Sequence, residues 1–279
     1  MPATGNSETR KVRPPAVAGR FYPQDPALLA REVNVFLQNA PRATGPVPKA
    51  IIAPHAGYLY SGPIAGSTYA QLLPAREQIT RVVLLGPAHF VAVRGLATST
   101  AMAFATPLGE VPVDVHSVRQ LLALSQVCGS DEAHAMEHSL EVQLPFLQVV
   151  LRKFALVPLV AGDATADEVS QVLEMLWGGP ETCFVISSDL SHYHDSDTAR
   201  QQDGATARAI ENLRADTIGE QDACGKTPIC GLLKSAQSRK LQAHVLDLRN
   251  SSDTAGPRDR VVGYGAFAFQ PTVTSAPRS

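Results

Sequence analysis

The sequence predicts an α/β fold: a single domain with a mainly parallel central sheet flanked by helices. Three observations predict it. Short apolar runs rich in β-branched residues recur at 49–54, 81–86, 154–160 and 183–188, the pattern of strands buried on both faces. Helix-like segments fall between them, an alternation that builds parallel sheets. No internal repeat or linker divides the 279 residues, a length that can bury one large core.

The elements follow in order. Asp25-Pro26 places a capping carboxylate before a proline at the first helical position, and opens an amphipathic helix to about residue 39. A loop with three prolines, 40–48, leads to the first strand, which ends at residue 53. A helix over 63–73 precedes a strand ending near residue 85. The Thr, Ala and Val content of 91–113 allows extra strands. Helices follow at 115–124 and 139–151, the second kinked or restarted at Pro145. A strand over 154–160, a capped helix over 165–176, a strand over 183–187 and a helix over 197–213 come next. Thr227-Pro228 reads as cap and first-turn proline of a helix to about residue 239. Two strand-like runs, 243–248 and 261–269, close the chain and can pair antiparallel at an edge. Residues 1–12 and 271–279 read as mobile tails around a domain spanning 13–270.

Composition excludes several functions. The formal charge is −2 and no long run of like charge occurs, so no basic field for nucleic acid or an anionic membrane is expected. No stretch approaches the roughly 18 apolar residues of a membrane helix. The N-terminus lacks the apolar core of a secretory signal. The four cysteines, Cys128, Cys183, Cys224 and Cys230, are scattered without a Cys-x-x-Cys pair. That favours a reducing compartment and a cytoplasmic location.

The chemistry is expected just past the strand ends. His55, His89 and His192 each follow one of the buried runs. Parallel strands point one way, so the three can converge on the rim where open α/β sheets bind ligands. Proline and glycine constrain the backbone in Ala53-Pro54-His55-Ala56-Gly57-Tyr58 and Gly86-Pro87-Ala88-His89. Pre-placed imidazoles suit a metal or a proton-transfer site. Asp189 precedes His192 by three residues and could orient it as an acid/base pair. The plain alternative is that Ser188 or Asp189 caps a helix. Cys224 lies before the expected helix with Lys226 close by, and both features favour a thiolate. Glu137 and Glu141 share a helical face, with His138 set off from it, either as supporting acids or as a solvated turn. Tyr58 and Tyr193 could line the pocket. Two decoys fail. Gly225-Lys226-Thr227 resembles the end of a phosphate-binding loop, but position 220 is Glu and Pro228 follows. Gly263-Tyr264-Gly265 belongs to a terminal strand rather than a strand–helix turn.

The segment Arg13-Pro14-Pro15-Ala16-Val17-Ala18-Gly19-Arg20-Phe21-Tyr22-Pro23 resembles the opening signature of the Memo family. Its prokaryotic members are labelled AmmeMemoRadiSam system protein B. The resemblance continues through the His55 and His89 motifs, Glu137-His138-Ser139-Leu140-Glu141, Ser187-Ser188-Asp189-Leu190-Ser191-His192, Cys224-Gly225-Lys226-Thr227-Pro228-Ile229, Asn250-Ser251-Ser252-Asp253 and Val262-Gly263-Tyr264. It covers nearly the whole chain, in family order. The resemblance implies the fold of class III extradiol dioxygenases. It implies His55, His89 and Cys224 as metal ligands, with His192 and Asp189 in the acid/base place. It further implies Fe(II) or copper, with zinc as another option, and redox activity of oxidase or dioxygenase type on a small molecule. The rival expectation is a non-catalytic module that binds a peptide or protein in a vestigial pocket. Neither oligomeric state nor substrate follows from the sequence.

Overall fold

The computed structural model describes residues 10–43 and 45–272. Its strands are β1 (Val12–Arg13), β2 (Ala50–Ala53), β3 (Arg81–Pro87), β4 (Leu96–Thr98), β5 (Ala103–Thr106), β6 (Gly109–Pro112), β7 (Val127–Gly129), β8 (Ala155–Ala161), β9 (Thr182–Ser187), β10 (His192–His194), β11 (Leu241–Asn250) and β12 (Val261–Pro271). Its α-helices are α1 (Pro26–Asn39), α2 (Tyr58–Tyr69), α3 (Val115–Leu121), α4 (Asp131–Ala135), α5 (His138–Glu141), α6 (Leu144–Val150), α7 (Ala166–Met175), α8 (Ser196–Glu211) and α9 (Lys226–Ser238). Among the described residues, no helix is long and apolar enough to cross a membrane.

The central sheet has nine strands, ordered β10-β12-β2-β9-β3-β8-β4-β7, with β11 paired to β12. Its middle, β2-β9-β3-β8, is parallel throughout. Antiparallel pairing of β12 with β2 and of β4 with β8 makes the whole sheet mixed. A three-stranded sheet, β1-β5-β6, lies apart. Every residue of β2 and β9 is buried. Successive side chains point to opposite faces, so helices must cover both. Ile51, Ile52, Val83, Leu84, Val157 and Phe184 are wholly buried there.

Register sets the site. Ala53 pairs with Ser187, and Leu85 with Ile186. Strands β2, β9 and β3 therefore end side by side. The residues that follow them, His55, Asp189 and His89, emerge on one rim.

Local chemistry explains most boundaries. The Asp25 side chain caps α1 through the Leu28 amide, and Thr165 with Glu168 forms a reciprocal cap on α7. The helix expected over 139–151 is two helices, with Pro145 in the first turn of α6. Strand β11 pairs antiparallel with β12. Other boundaries differ. Helix α2 starts at Tyr58 and contains Pro63, because Phe21 O accepts the Tyr58 amide and anchors the turn early. Helix α9 starts after Gly225, so Thr227 lies inside it and is not its cap. Elements β7, α4 and β10 are too short to leave a periodic signal. The expected tails lie outside the described residues except at their inner ends. There Val12 pairs with Ala103 and Pro271 with Leu241.

One buried group ties this fold to pH. His134 on α4 is buried, and its Nε2–H donates to the Ala97 carbonyl at 3.0 Å. Burial pulls its pKa down to about 4, against the opposing effect of that bond. An unfolded histidine titrates near 6.5. The neutral ring's contribution to stability is therefore complete above about pH 6.5, and is lost as pH falls through about 4. Urea unfolding across this window should show His134→Gln with a shallower acid slope than wild type, by up to about 1.4 kcal/mol per pH unit. Equal slopes would remove His134 as a source of acid lability.

Candidate metal centre

His55 sits two residues past β2, on the turn into α2. Its amide donates to Asp189 Oδ1 at 2.7 Å, and its ring Nδ1 lies 2.9 Å from Ser187 Oγ. Ser187 has one hydroxyl proton, which goes to the Ser139 carbonyl at 2.6 Å. Ser187 Oγ must therefore accept from both the Gln143 amide and His55 Nδ1–H. That assigns the tautomer and leaves Nε2 of His55 with a free lone pair.

The same logic holds at His89. Its amide donates to Glu137 Oε2 at 2.6 Å, and its Nδ1 lies 2.9 Å from Oε1 of the same carboxylate. Burial alone would raise the pKa of Glu137. Hydrogen bonds from the His89 ring and from the His89 and Ser139 amides hold it at about 2 instead. An ionised carboxylate only accepts, so His89 Nδ1 donates and its Nε2 is free. A second partner on Nδ1 is the usual support of a metal-ligating histidine.

The third imidazole is His138, the first residue of α5. Its ring stacks on His89 at 4.7 Å between centroids and meets His55 edge-on at 5.4 Å. The nitrogen donors of His55, His89 and His138 all lie within 4.8 Å of one another, and this group could hold a metal ion. Burial, then the neighbouring imidazoles, pulls the pKa of His55 well below its ordinary value. Burial and His89 lower His138. His55 and His138 are thus kept neutral, the form that donates to a cation. The sequence gives His138 a supporting place; the fold brings it into the group itself.

Cys224 lies outside that three-histidine group and touches it through His55, with Sγ 3.3 Å from Nε2. The sulfur also contacts the Asp189 carbonyl at 3.6 Å and Ser188 Oγ at 3.9 Å. The expected thiolate is not what the geometry favours. Burial, then the Asp189 carboxylate, pushes the thiol up to about 12. Lys226 pairs with Glu220 instead of the sulfur. The thiol is held protonated, with His55 Nε2 and the Asp189 carbonyl as the acceptors within reach of its one proton.

The remaining expected residues divide. Asp189 is buried, and its carboxylate accepts the His55 and Ala56 amides. Among the described residues it makes no hydrogen bond to His192, so it shapes the loop instead of orienting that ring. His192 lies half-buried on β10, close enough for its charge to act on His55 and Asp189. Tyr193 is exposed under Arg260, whose guanidinium sits 4.4 Å from its ring. Tyr58 is core: its hydroxyl donates to the Val142 carbonyl at 2.7 Å and its ring packs on Phe146. Glu141 is also core, binding Arg13, Tyr22 and the amides of Ala16 and Val17. Sequence reading misses Ser187, Gln143 and the buried Asp203, which accepts the Ser191 amide beside His192. Their only sequence signal is polarity at positions where a core residue would fit.

The cysteines give a direct check. Cys128 is exposed, whereas Cys224 is partly buried and held as thiol. A maleimide at neutral pH should label Cys128 well before Cys224 in native protein, with peptide mass mapping as readout. Prompt labelling of Cys224 at the rate of Cys128 would contradict the protonated, packed sulfur.

Comparisons with known proteins identify relatives of the chain. A family model described as Memo-like protein matches residues 13–268. A MEMO1 family protein of Sulfolobus acidocaldarius is 34% identical over 286 residues, covering 92% of this chain and 99% of the relative. One of Aquifex aeolicus is 34% identical over 270 residues, covering 93% and 99%. One of Nitrosopumilus maritimus is 30% identical over 275 residues, covering 92% and 99%. With a family match over residues 13–268 and relatives at 30–34% identity, the chain belongs to the Memo family.

Proposed function

We propose that this Memo-family chain is a metal-dependent redox protein, oxidase- or dioxygenase-like, acting on a small molecule. His55 and His89 supply Nε2 and Cys224 supplies sulfur, with His138 as the adjoining imidazole. The single observation that carries this reading is the matched support of the two histidines. Each Nδ1–H is committed, to Ser187 and to Glu137, so each Nε2 lone pair is free beside the other donors. The donor set fits the group: two imidazoles and a soft sulfur suit iron, copper or zinc. Of these, Fe(II) or copper would supply electron transfer, which zinc does not.

The chain's own residues have separable tasks. Ser187 and Glu137 hold the two rings in orientation. Cys224 must give up its proton to become a ligand, since coordinating thiols are deprotonated. His192, whose charge acts on His55 and Asp189, takes or returns the proton in this reading. All four cysteines are free, which supports a reducing, cytoplasmic setting.

A second reading, a peptide- or protein-binding module, draws on one observation. Phe90 is exposed beside the site, its ring 6.5 Å from His89 and 5.9 Å from His138. That reading requires partner capture to survive both metal removal and Cys224→Ser.

The decisive experiment is metal analysis of protein purified without chelators, followed by anaerobic reconstitution and oxygen-uptake assays. Wild type should hold near-stoichiometric metal and His55→Ala/His89→Ala should hold almost none. Equal content in both would sink the proposal. Glu137→Gln should weaken metal affinity by about 10–100-fold, because the His89 ring loses its charged anchor. Competition against a chromophoric chelator reads this directly, and unchanged affinity would dissociate Glu137 from the site.

A further inference from the structure

A cavity lies at the end of the sheet opposite the histidine rim. Its volume is about 440 Å³, within the range of small-molecule pockets. Lys49, Ile79, Trp177, Thr182, Leu241 and Pro271 are among its walls. Lys49 precedes β2, Thr182 begins β9 and Leu241 begins β11. The histidine rim lies past the other ends of β2 and β9, roughly 20 Å away along β9. The two sites share no residue.

The charge arrangement there is unbalanced. Three cations cluster: Lys49, Arg81 and Arg239, the last two each lowering the pKa of Lys49. Arg81 pairs with Glu181 and Arg239 with Glu174. Among the described residues, no carboxylate lies within ion-pair distance of Lys49. Its ammonium donates to the carbonyls of Gly179 and Thr182, at 2.7 and 2.8 Å. It lies 5.5 Å from the Trp177 ring and 5.4 Å from Phe184. Two carbonyls satisfy two of its three protons, and among the described residues the charge has no ion-pair partner, with Glu181 acting on it only from beyond that distance. Burial draws its pKa down to about 8, so the group is still charged at neutral pH.

The wall is preformed. Arg81 Nε donates to Thr182 Oγ1 at 2.9 Å, and the Gly179 amide donates to Glu181 at 3.0 Å. Gly178 has φ +55°, and a Cβ there would collide with Glu181, Arg81 and Thr182. The loop beside Lys49 is therefore fixed before any ligand arrives. Apolar surface from Val47, Pro48, Ile79, Leu241 and Pro271 faces the same space.

We propose that this cavity is a second small-molecule site, which takes a carboxylic acid with a compact apolar body. The carboxylate supplies the ion-pair partner that Lys49 lacks among the described residues, and the apolar body covers Val47, Pro271 and the edge of Trp177. This assignment is independent of the metal centre.

The chain carries its own reporter, because Trp177 is the sole tryptophan. Emission excited selectively at tryptophan is followed while cyclohexanecarboxylate, which is optically transparent there, is added. Acetate, inorganic phosphate and cyclohexylamine are added in parallel. A saturable change with cyclohexanecarboxylate is expected, with acetate and phosphate weaker by about tenfold or more and cyclohexylamine silent. Lys49→Met should weaken binding by about tenfold or more. Should that variant not fold, Gln78→Glu is the second arm: it adds a negative charge at an exposed lining position and should weaken binding several-fold. No saturation with cyclohexanecarboxylate overturns the site. Equal response to phosphate or to cyclohexylamine overturns the ligand class. Unchanged binding in both Lys49→Met and Gln78→Glu, or in Gln78→Glu alone if Lys49→Met does not fold, overturns the role of this charge.

Discussion

Asp189 is the knot on which the rim depends. It sits just past β9, the strand between the two histidine-bearing ones. Its carboxylate takes the His55 amide, which fixes the chain leaving β2. Its carbonyl takes the Cys224 amide, which fixes the approach to α9. The next residue, Leu190, donates its amide to Gly263 on β12. Three distant stretches of chain are thus joined within two residues. A buried carboxylate is costly unless its lone pairs are occupied, and backbone amides are donors that cannot swing away. The constraint works in both directions. The amides make the buried acid tolerable, and the acid gives the turn after His55 one geometry.

A second clamp acts from the N-terminal side. Arg13 pairs with Glu141 and also donates to the carbonyls of His134 and Glu137. Glu141 in turn holds the Ala16 and Val17 amides and the Tyr22 hydroxyl. The stretch from Arg13 to Tyr22 is thereby laid over the short helices that carry Glu137 and His138. Phe21, from the same stretch, packs 4.8 Å from the His138 ring. A buried ion pair contributes little net stability by itself, since desolvation offsets its attraction. Its effect here is positional. A four-residue helix such as α5 has almost no stability of its own, so the clamp must hold Glu137 and His138 where His89 needs them.

How much of this the sequence shows depends on range. The strands are legible because a sheet covered on both faces demands unbroken apolar runs, and the parallel rule then places His55 and His89 on one rim. Those inferences need only local pattern and direction. His138 is not legible as a ligand candidate, because its partners arrive from β2 and β3, remote in sequence. Ser187 and Gln143 look like ordinary polar residues until the proton count at Ser187 shows them setting the tautomer of His55. Cys224 shows local reasoning overruled. A helix start and a nearby lysine favour a thiolate, yet Lys226 turns to Glu220 and burial decides the protonation. The spacing of Asp189 and His192 suggests a pair, but backbone amides claim the carboxylate first.

The protonated thiol and the neutral imidazoles have a common cause. Each is partly or wholly removed from water beside groups of the same potential charge, so each rests in its uncharged form. Cys224, His55 and His138 thus rest at the rim as uncharged groups. Ionising Cys224 in advance would place a second anion against Asp189 in a partly dry site. Keeping the proton avoids that repulsion, and a cation bound there would replace it in one exchange. Burial therefore does more than hide the sulfur: it keeps the group uncharged beside the Asp189 carboxylate.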